Sequence, residues 1–254
     1  MTALLTVSEV TKRYGAFTAL DRCSVSFEHG MITGLIGPNG AGKTTLLNVI
    51  AGFAPPDSGT VVFDGVDVTA LPAHRLAARG LVRTFQIARE LANLTVLENL
   101  LLAAAGPAAE SITGALLRRG IVRKTEQANA LRARALIERV GLWQLADTPA
   151  SALSGGQKKL LELARALMLA PRFILLDEPA AGVAPPLVAE LAVLVRSLVA
   201  EGISFGIVEH DMDLIARLCD RVFVLAEGRT LVSGSFAEVA AHKDVVEAYL
   251  GRAA

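Results

Sequence analysis

Along the first ninety residues, apolar positions come in short β-like runs broken by tight turns. The run Met31-Ile-Thr-Gly-Leu-Ile36 leads directly into glycines and then into a helix-like segment, Lys43 to Ala51. That order predicts a strand, a loop and a helix. Two further apolar runs, Phe173 to Asp177 and Ile203 to Val208, end in acidic or histidine residues, and a helical pattern follows each. Continuous apolar strands of this kind lie in parallel sheets covered on both faces. Parallel strands with crossover helices predict an α/β fold.

The middle third has a different texture. Thr95 to Ala105 and Arg123 to Val140 are rich in Leu, Ala, Arg and Glu and poor in β-branched residues, which predicts helices. Thr95 with Glu98 forms a capping-box pattern at the start of one, and Gly141 after Val140 stops the other. Gly106, Pro107, Gly114 and Gly120 mark looser connections. Late in the chain, Arg221 to Leu225 and Arg229 to Ser233 flank Ala226-Glu-Gly228, which predicts a hairpin before one or two closing helices. No internal repeat or low-complexity tail is visible.

A length of 254 residues allows one large domain or two small ones, enough to bury a core. A 52% hydrophobic and 20% charged composition excludes disorder as the main state. Lys plus Arg equals Asp plus Glu, so no field of one sign draws the whole molecule to nucleic acid or anionic lipid. The apolar stretches are interrupted, by Asn93, Glu98 and Asn99 in one case and by Glu190 and Arg196 in another, which predicts that no segment spans a bilayer. Met1-Thr-Ala-Leu-Leu-Thr lacks a basic segment followed by an apolar one, and a cytosolic location is expected. Cys23 and Cys219 are too few for a disulfide framework and read as buried reduced thiols.

The chemistry starts at Gly37-Pro-Asn-Gly-Ala-Gly-Lys-Thr44, a G-x-x-x-x-G-K-[ST] pattern between an apolar strand and a helix. Its glycines let successive N–H groups point inward, the helix N-terminus adds positive potential, and Lys43 reaches terminal phosphates. Thr44 is expected to offer its hydroxyl to Mg²⁺. A plain glycine turn needs neither Lys43 nor Thr44 at those offsets.

Asp177 and Glu178 put two carboxylates at the end of a buried strand, where adjacent anions need a cation or a proton. A bound Mg²⁺ held by Asp177 supplies the cation, and Glu178 orients and deprotonates an attacking water. Taken alone, the pair also fits a surface turn before Pro179. Leu153-Ser-Gly-Gly-Gln157 precedes the helical run Lys158 to Leu169, so Ser154, Gly155 and Gly156 expose N–H groups at another helix start. The first loop already takes one triphosphate, so this second receptor is expected to meet the nucleotide of another copy. A capped helix start by itself looks the same.

Together these residues resemble the ATP-binding subunit of ABC transporters, over nearly the whole chain and in that family's order. The resemblance implies a P-loop nucleoside triphosphatase with a RecA-like core, a small antiparallel β subdomain and a helical subdomain. It implies a single domain over residues 1–254, with a core of roughly 1–88 and 166–254 and helices over 89–165. In that family Gly37, Pro38, Asn39, Gly40, Ala41, Gly42, Lys43, Thr44 and Thr45 form the phosphate loop. Ser154, Gly155, Gly156 and Gln157 belong to the signature motif, Asp177 is the metal aspartate and Glu178 the catalytic glutamate. The match also gives roles to three residues that are ordinary alone. Gln86 matches a glutamine touching Mg²⁺ and water, His210 a switch histidine on the γ-phosphate, and Tyr14 the aromatic on which adenine stacks. ATP and Mg²⁺ are the implied cofactors.

Within the family, Arg83-Thr-Phe-Gln86, Leu94-Thr-Val-Leu-Glu-Asn99, Glu178 to Pro185 and Ala248-Tyr-Leu-Gly251 resemble ATPases of branched-chain amino acid importers. Many members carry Asp or Asn where this chain has Ala184. Lipopolysaccharide-export ATPases share much of the pattern. The implied partners are a second ATP-binding subunit, identical or related, polytopic membrane permease subunits docking near Gln86 and the segment Ile87 to Leu102, and, indirectly, a substrate-binding protein. The implied location is cytoplasmic, peripheral on the inner face of the cell membrane. A soluble ABC ATPase acting on nucleic acid is disfavoured by the single cassette and the zero net charge. A non-catalytic switch is disfavoured by Glu178 with His210, and a small-molecule kinase by Leu-Ser-Gly-Gly-Gln.

Overall fold

The computed structural model of the chain describes residues 3–84, 91–104 and 119–250. Two strands, Ala3–Tyr14 (β1) and Phe17–Glu28 (β2), form a long hairpin with Tyr14 opposite Phe17. They are longer than the short runs expected there. β1 is an inner strand, and its polar positions Thr6, Ser8 and Thr11 lie opposite Val62, Thr60 and Ser58 of Ser58–Phe63 (β4 in chain order). A ladder on both sides carries such a strand through polar residues that break its apolar pattern. With Val66–Asp67 (β5) the antiparallel sheet has the order β2-β1-β4-β5.

The second sheet contains Ile32–Ile36 (β3), Leu81–Arg83 (β6), Phe173–Asp177 (β7), Ser204–Val208 (β8), Arg221–Ala226 (β9) and Arg229–Gly234 (β10), in the order β10-β9-β3-β8-β7-β6. The strands are parallel except for the β9–β10 hairpin. Its Glu227-Gly228 turn has both residues at positive φ, the geometry that matches the strand twist. Every residue of β3, β7 and β8 is buried, because the antiparallel sheet with one helix covers one face and further helices cover the other.

One core fills the space between the two sheets and Lys43–Ile50 (α1). Phe27 and Phe173 meet edge to face there, with centroids 5.1 Å apart. The opposite face of β7 and β8 packs Ile174, Leu176 and Ile207 against the later helices and the helical middle third. Burying each large side chain contributes roughly 1.5–3 kcal/mol.

Eight more helices follow among the described residues, with boundaries set largely by local chemistry. Ala73–Ala78 (α2) precedes the edge strand β6, and Val96–Ala103 (α3) opens on the expected box. The Glu98 amide donates to Thr95 Oγ1, and the Glu98 carboxylate accepts from the Thr95 amide. Buried Asn99 ties Leu91, Leu94 and Thr95 to this helix through four hydrogen bonds. Arg119–Arg139 (α4) begins earlier than expected and takes Gly120 into its first turn, where the N–H groups have no intrahelical partner to lose. Gly141 at φ 71° follows it as the stop. Gly106, Pro107 and Gly114 lie outside the described residues. The next helix is Gly155–Met168 (α5), which starts before Lys158 because Ser154 and Gln157 form their own capping box. Pro185–Ala200 (α6) and Met212–Leu218 (α7) flank β8, and Phe236–Ala240 (α8) and Lys243–Leu250 (α9) close the chain. Among the described residues no helix is long and apolar enough to cross a membrane.

Candidate functional site: a phosphate pocket

The loop between β3 and α1 can only be built with its glycines. A Cβ on Gly37 would sit 2.1 Å from the Leu225 carbonyl oxygen. Gly42 N-caps α1 at φ 98°, and a Cβ there would sit 2.7 Å from the Ala19 oxygen. The Lys43 ammonium is buried and donates to the carbonyls of Gly37 at 2.7 Å and Pro38 at 3.0 Å, which leaves one N–H for an anion. Burial pulls its pKa below the usual lysine value, and the Glu178 charge opposes that shift.

A cavity of about 260 Å³ opens on this loop. Asn39, Gly40, Ala41, Gly42, Lys43, Thr44 and Thr45 line it from one side, and Glu178, Val208 and His210 from the other. Residues 165 positions apart thus share one pocket, because β7 and β8 pair in register and end together beside the β3 loop.

The two carboxylates point apart. Asp177 accepts from Arg83 Nη2 at 2.8 Å, with side chains only 7% and 5% exposed, so the buried cation beside it is an arginine. Arg83 Nη1 also donates to Asn48 Oδ1 at 2.6 Å. Glu178 holds a left-handed backbone at φ 48°, a conformation costing on the order of 1–2 kcal/mol for a residue with a side chain. That turn sends its carboxylate to His210 Nε2, 3.1 Å away.

A third carboxylate, Glu209, escaped the sequence reading. It is 4% exposed and accepts the backbone N–H of Ala180 at 2.7 Å and of His210 at 3.0 Å, with Asp211 at 3.5 Å. It therefore fastens the segment after Glu178 to the loop carrying His210. An acid directly after a mostly apolar strand was the available signal. Arg83 was equally missed as the partner of Asp177, since a pair 94 residues apart leaves no local trace.

Tyr14 is half exposed at the hairpin tip, with the Lys12 ammonium 5.6 Å from its ring centroid, and the aromatic residue lining the pocket is Phe17. Tyr14 and Phe17 are directly opposite partners in the hairpin, and of the two it is Phe17 that lines the pocket. Ser154, Gly155, Gly156 and Gln157 do not line this pocket. Gly155 and Gly156 lie against the segment after Glu178, where a Cβ on Gly156 would fall 2.1 Å from Leu187 Cδ2. Ala184 N-caps α6 without a side-chain bond. On the C-terminal helix, burial raises the Tyr249 hydroxyl pKa, and a hydrogen bond with the Gly37 backbone opposes the rise. Gln86 lies outside the described residues.

An Mg²⁺ ion fits the donor set. It prefers hard oxygen ligands and shares its shell with phosphate. Thr44 brings a hydroxyl and Asp177 a carboxylate, of which Arg83 takes Oδ2. Among the described residues no three His, Cys, Asp or Glu side chains gather around one point, so phosphate oxygens would complete the shell.

A glycine loop on a helix N-terminus, a buried lysine and a Glu–His pair at the ends of adjacent parallel strands define a P-loop nucleotide-binding protein. The chain belongs to the ABC transporter family, whose model matches residues 20–181, and it is an ATPase of that family. It is 40% identical over 251 residues, 98% of this chain and 95% of the relative, to the "Probable branched-chain amino acid transport ATP-binding protein LivG" of Archaeoglobus fulgidus. It is similar to the crystal structure of a nucleotide-free ATP-binding cassette from an ABC transporter, with TM-score 0.87 and 38% identity, covering 99% of this chain and 100% of that one. It is also similar to a dimeric post-hydrolysis state of the cassette MJ0796 bound to ADP and Pi, with TM-score 0.76 and 26% identity, covering 91% and 98%.

Proposed function

We propose that this chain is the ATP-hydrolysing motor of a membrane importer for branched-chain or related amino acids. It works as a peripheral subunit on the inner face of the cell membrane. The observation that carries the reading is that Lys43, Thr44, Glu178 and His210 share one cavity while Ser154 to Gln157 of the same chain are outside its lining. Each chain then holds half of a site. Two copies, or this chain and a related ATPase, close face to face around two ATP molecules, as the dimeric relative bound to ADP and Pi suggests.

In the closed pair the loop amides and Lys43 bind the β- and γ-phosphates, and the Ser154 helix start of the partner reaches the same γ-phosphate. Thr44, Asp177 and Gln86 hold Mg²⁺, which supplies positive charge against the phosphate oxygens when bound. Glu178 accepts a proton from the attacking water, and His210 orients Glu178 and senses the γ-phosphate. Tyr14 or Phe17 takes the adenine ring. Cleavage removes the bridge and the copies separate.

The division into a core and a helical part at residues 89–165 makes that opening useful. An apolar groove lined by Ala51, Phe53, Ala77, Leu81 and Leu169 lies beside edge strand β6, just before Gln86, and suits a helix of a permease. The amino-acid reading is supported by the name of the relative at 40% identity. The test is phosphate release from Mg-ATP against protein concentration. Composite sites give a specific rate that rises with concentration and is lost in Ser154→Ala. A concentration-independent rate, kept in full by Ser154→Ala, would overturn the reading.

A further inference from the structure

Arg83 touches three things that the mechanism treats separately. Its Nη2 donates to Asp177 Oδ2 at 2.8 Å, its Nη1 donates to Asn48 Oδ1 at 2.6 Å on the phosphate-loop helix, and its Cζ stands 5.9 Å from the centroid of the Phe53 ring. Phe53 is half exposed on the wall of the apolar groove beside β6, and Arg83 lines that groove from within. The guanidinium is thus a buried three-way junction between the pocket, helix α1 and an exposed surface. Its backbone is fixed by β6, where Arg83 pairs with Leu175, two residues before Asp177.

We propose that Arg83 is a positioning residue that holds Asp177 in the orientation needed for Mg²⁺ and ties that orientation to the groove wall at Phe53. The proposal rests on the reading of Asp177 as a metal-holding carboxylate. The Nη2 bond anchors Asp177 Oδ2 while the Nη1 bond to Asn48 holds the guanidinium in place, so Oδ1 is the oxygen left to meet a metal shell. Without that bond, Asp177 is able to rotate about its own side-chain bonds. Partners of metal ligands are typically worth 10- to 100-fold in metal affinity. Phe53 and Arg83 line the same groove with the guanidinium over the ring, so a helix pressing on the groove at Phe53 is expected to act on the guanidinium.

The test uses the full chain and a fluorescent ATP analogue, titrated first in chelator and then with Mg²⁺. Binding in chelator reports the phosphate loop and is expected to be equal in wild type, Arg83→Met and Arg83→Lys. The Mg²⁺ midpoint is expected to rise about 10- to 100-fold in Arg83→Met, with partial recovery in Arg83→Lys. In Phe53→Ala, which leaves the Asp177 pair in place, the midpoint shifts in the same direction by about 2- to 5-fold, a fraction of that effect. An unchanged or lowered midpoint in a folded Arg83→Met would overturn the positioning role, and an unchanged midpoint in Phe53→Ala would overturn the tie to the groove. Asp177→Asn separates the underlying reading, because a normal Mg²⁺ response there removes Asp177 from the metal site whatever Arg83 does.

Discussion

His210 Nε2 stands 3.1 Å from Glu178 Oε1, and Glu178 reaches it only through a left-handed backbone at the end of β7. Strain of this kind persists where the surrounding structure over-determines it, as the β7–β8 pairing and the Glu178 amide bond to the Val208 carbonyl do here. The pair is thereby aimed at the cavity that Lys43 enters from the opposite side.

Replacing Glu178 by Gln keeps the shape and removes the base. Nucleotide binding is expected to persist while phosphate release falls by about 10²- to 10⁴-fold. With ATP no longer consumed, the chain is expected to elute as a dimer in saturating ATP. Phosphate release and size-exclusion chromatography check both, and a monomer under those conditions contradicts the shared-site mechanism.

Glu209 is a matter of stability as well as geometry. Replacing it by Ala removes the acceptor of the part-buried Ala180 and His210 N–H groups, at roughly 0.5–1.5 kcal/mol for each lost bond. Glu209→Gln keeps one carbonyl oxygen and is expected to lose about half as much. Urea denaturation gives the loss. Turnover should fall in parallel, since both catalytic loops hang from this carboxylate.

Ala184 begins α6 with φ −65° and ψ 141°, the backbone of an N-cap, yet it offers no acceptor to the first turn. Ala184→Asn and Ala184→Asp are expected to add about 0.5–1 kcal/mol, which for a chain of this size raises Tm by about 1–4 °C. A thermal melt without nucleotide isolates this local gain from any contact across a dimer.

The thiols are expected to be silent in the folded chain. Burial pushes Cys219 up to about 12, and burial also raises Cys23. The folded state therefore keeps both protonated at pH 8, where an ordinary thiol begins to ionise, and the thiolate is the reactive form. Labelling with a thiol reagent should be slow in buffer and fast in denaturant. For stability, the sign follows from the raised pKa values. The unfolded thiols ionise first, so their contribution is intact below about pH 9 and is lost as pH rises toward 12.

Much of this protein was legible in local sequence. The phosphate loop is a contiguous run whose glycine, lysine and threonine positions have individual physical reasons, and the buried strands show as mostly apolar stretches. The Thr95 box and the Gly141 stop were readable for the same reason, since capping is decided within one turn of helix. Where a boundary moved, a neighbour decided it. The Ser154–Gln157 box set the start of α5, and pairing on both sides carried β1 through polar residues.

What tertiary structure alone decided was which distant residues meet. Glu178 lies beside His210, Arg83 beside Asp177, and Glu209 under two loops, because β6, β7 and β8 are parallel neighbours whose ends coincide. That Phe17, the strand partner of Tyr14, lines the pocket is likewise visible only in the folded hairpin. Glycine flexibility, helix caps and strand hydrophobicity act over a few residues and leave their mark in order along the chain. Charge pairing and register act across space, so they exist only once the sheet has brought their partners together.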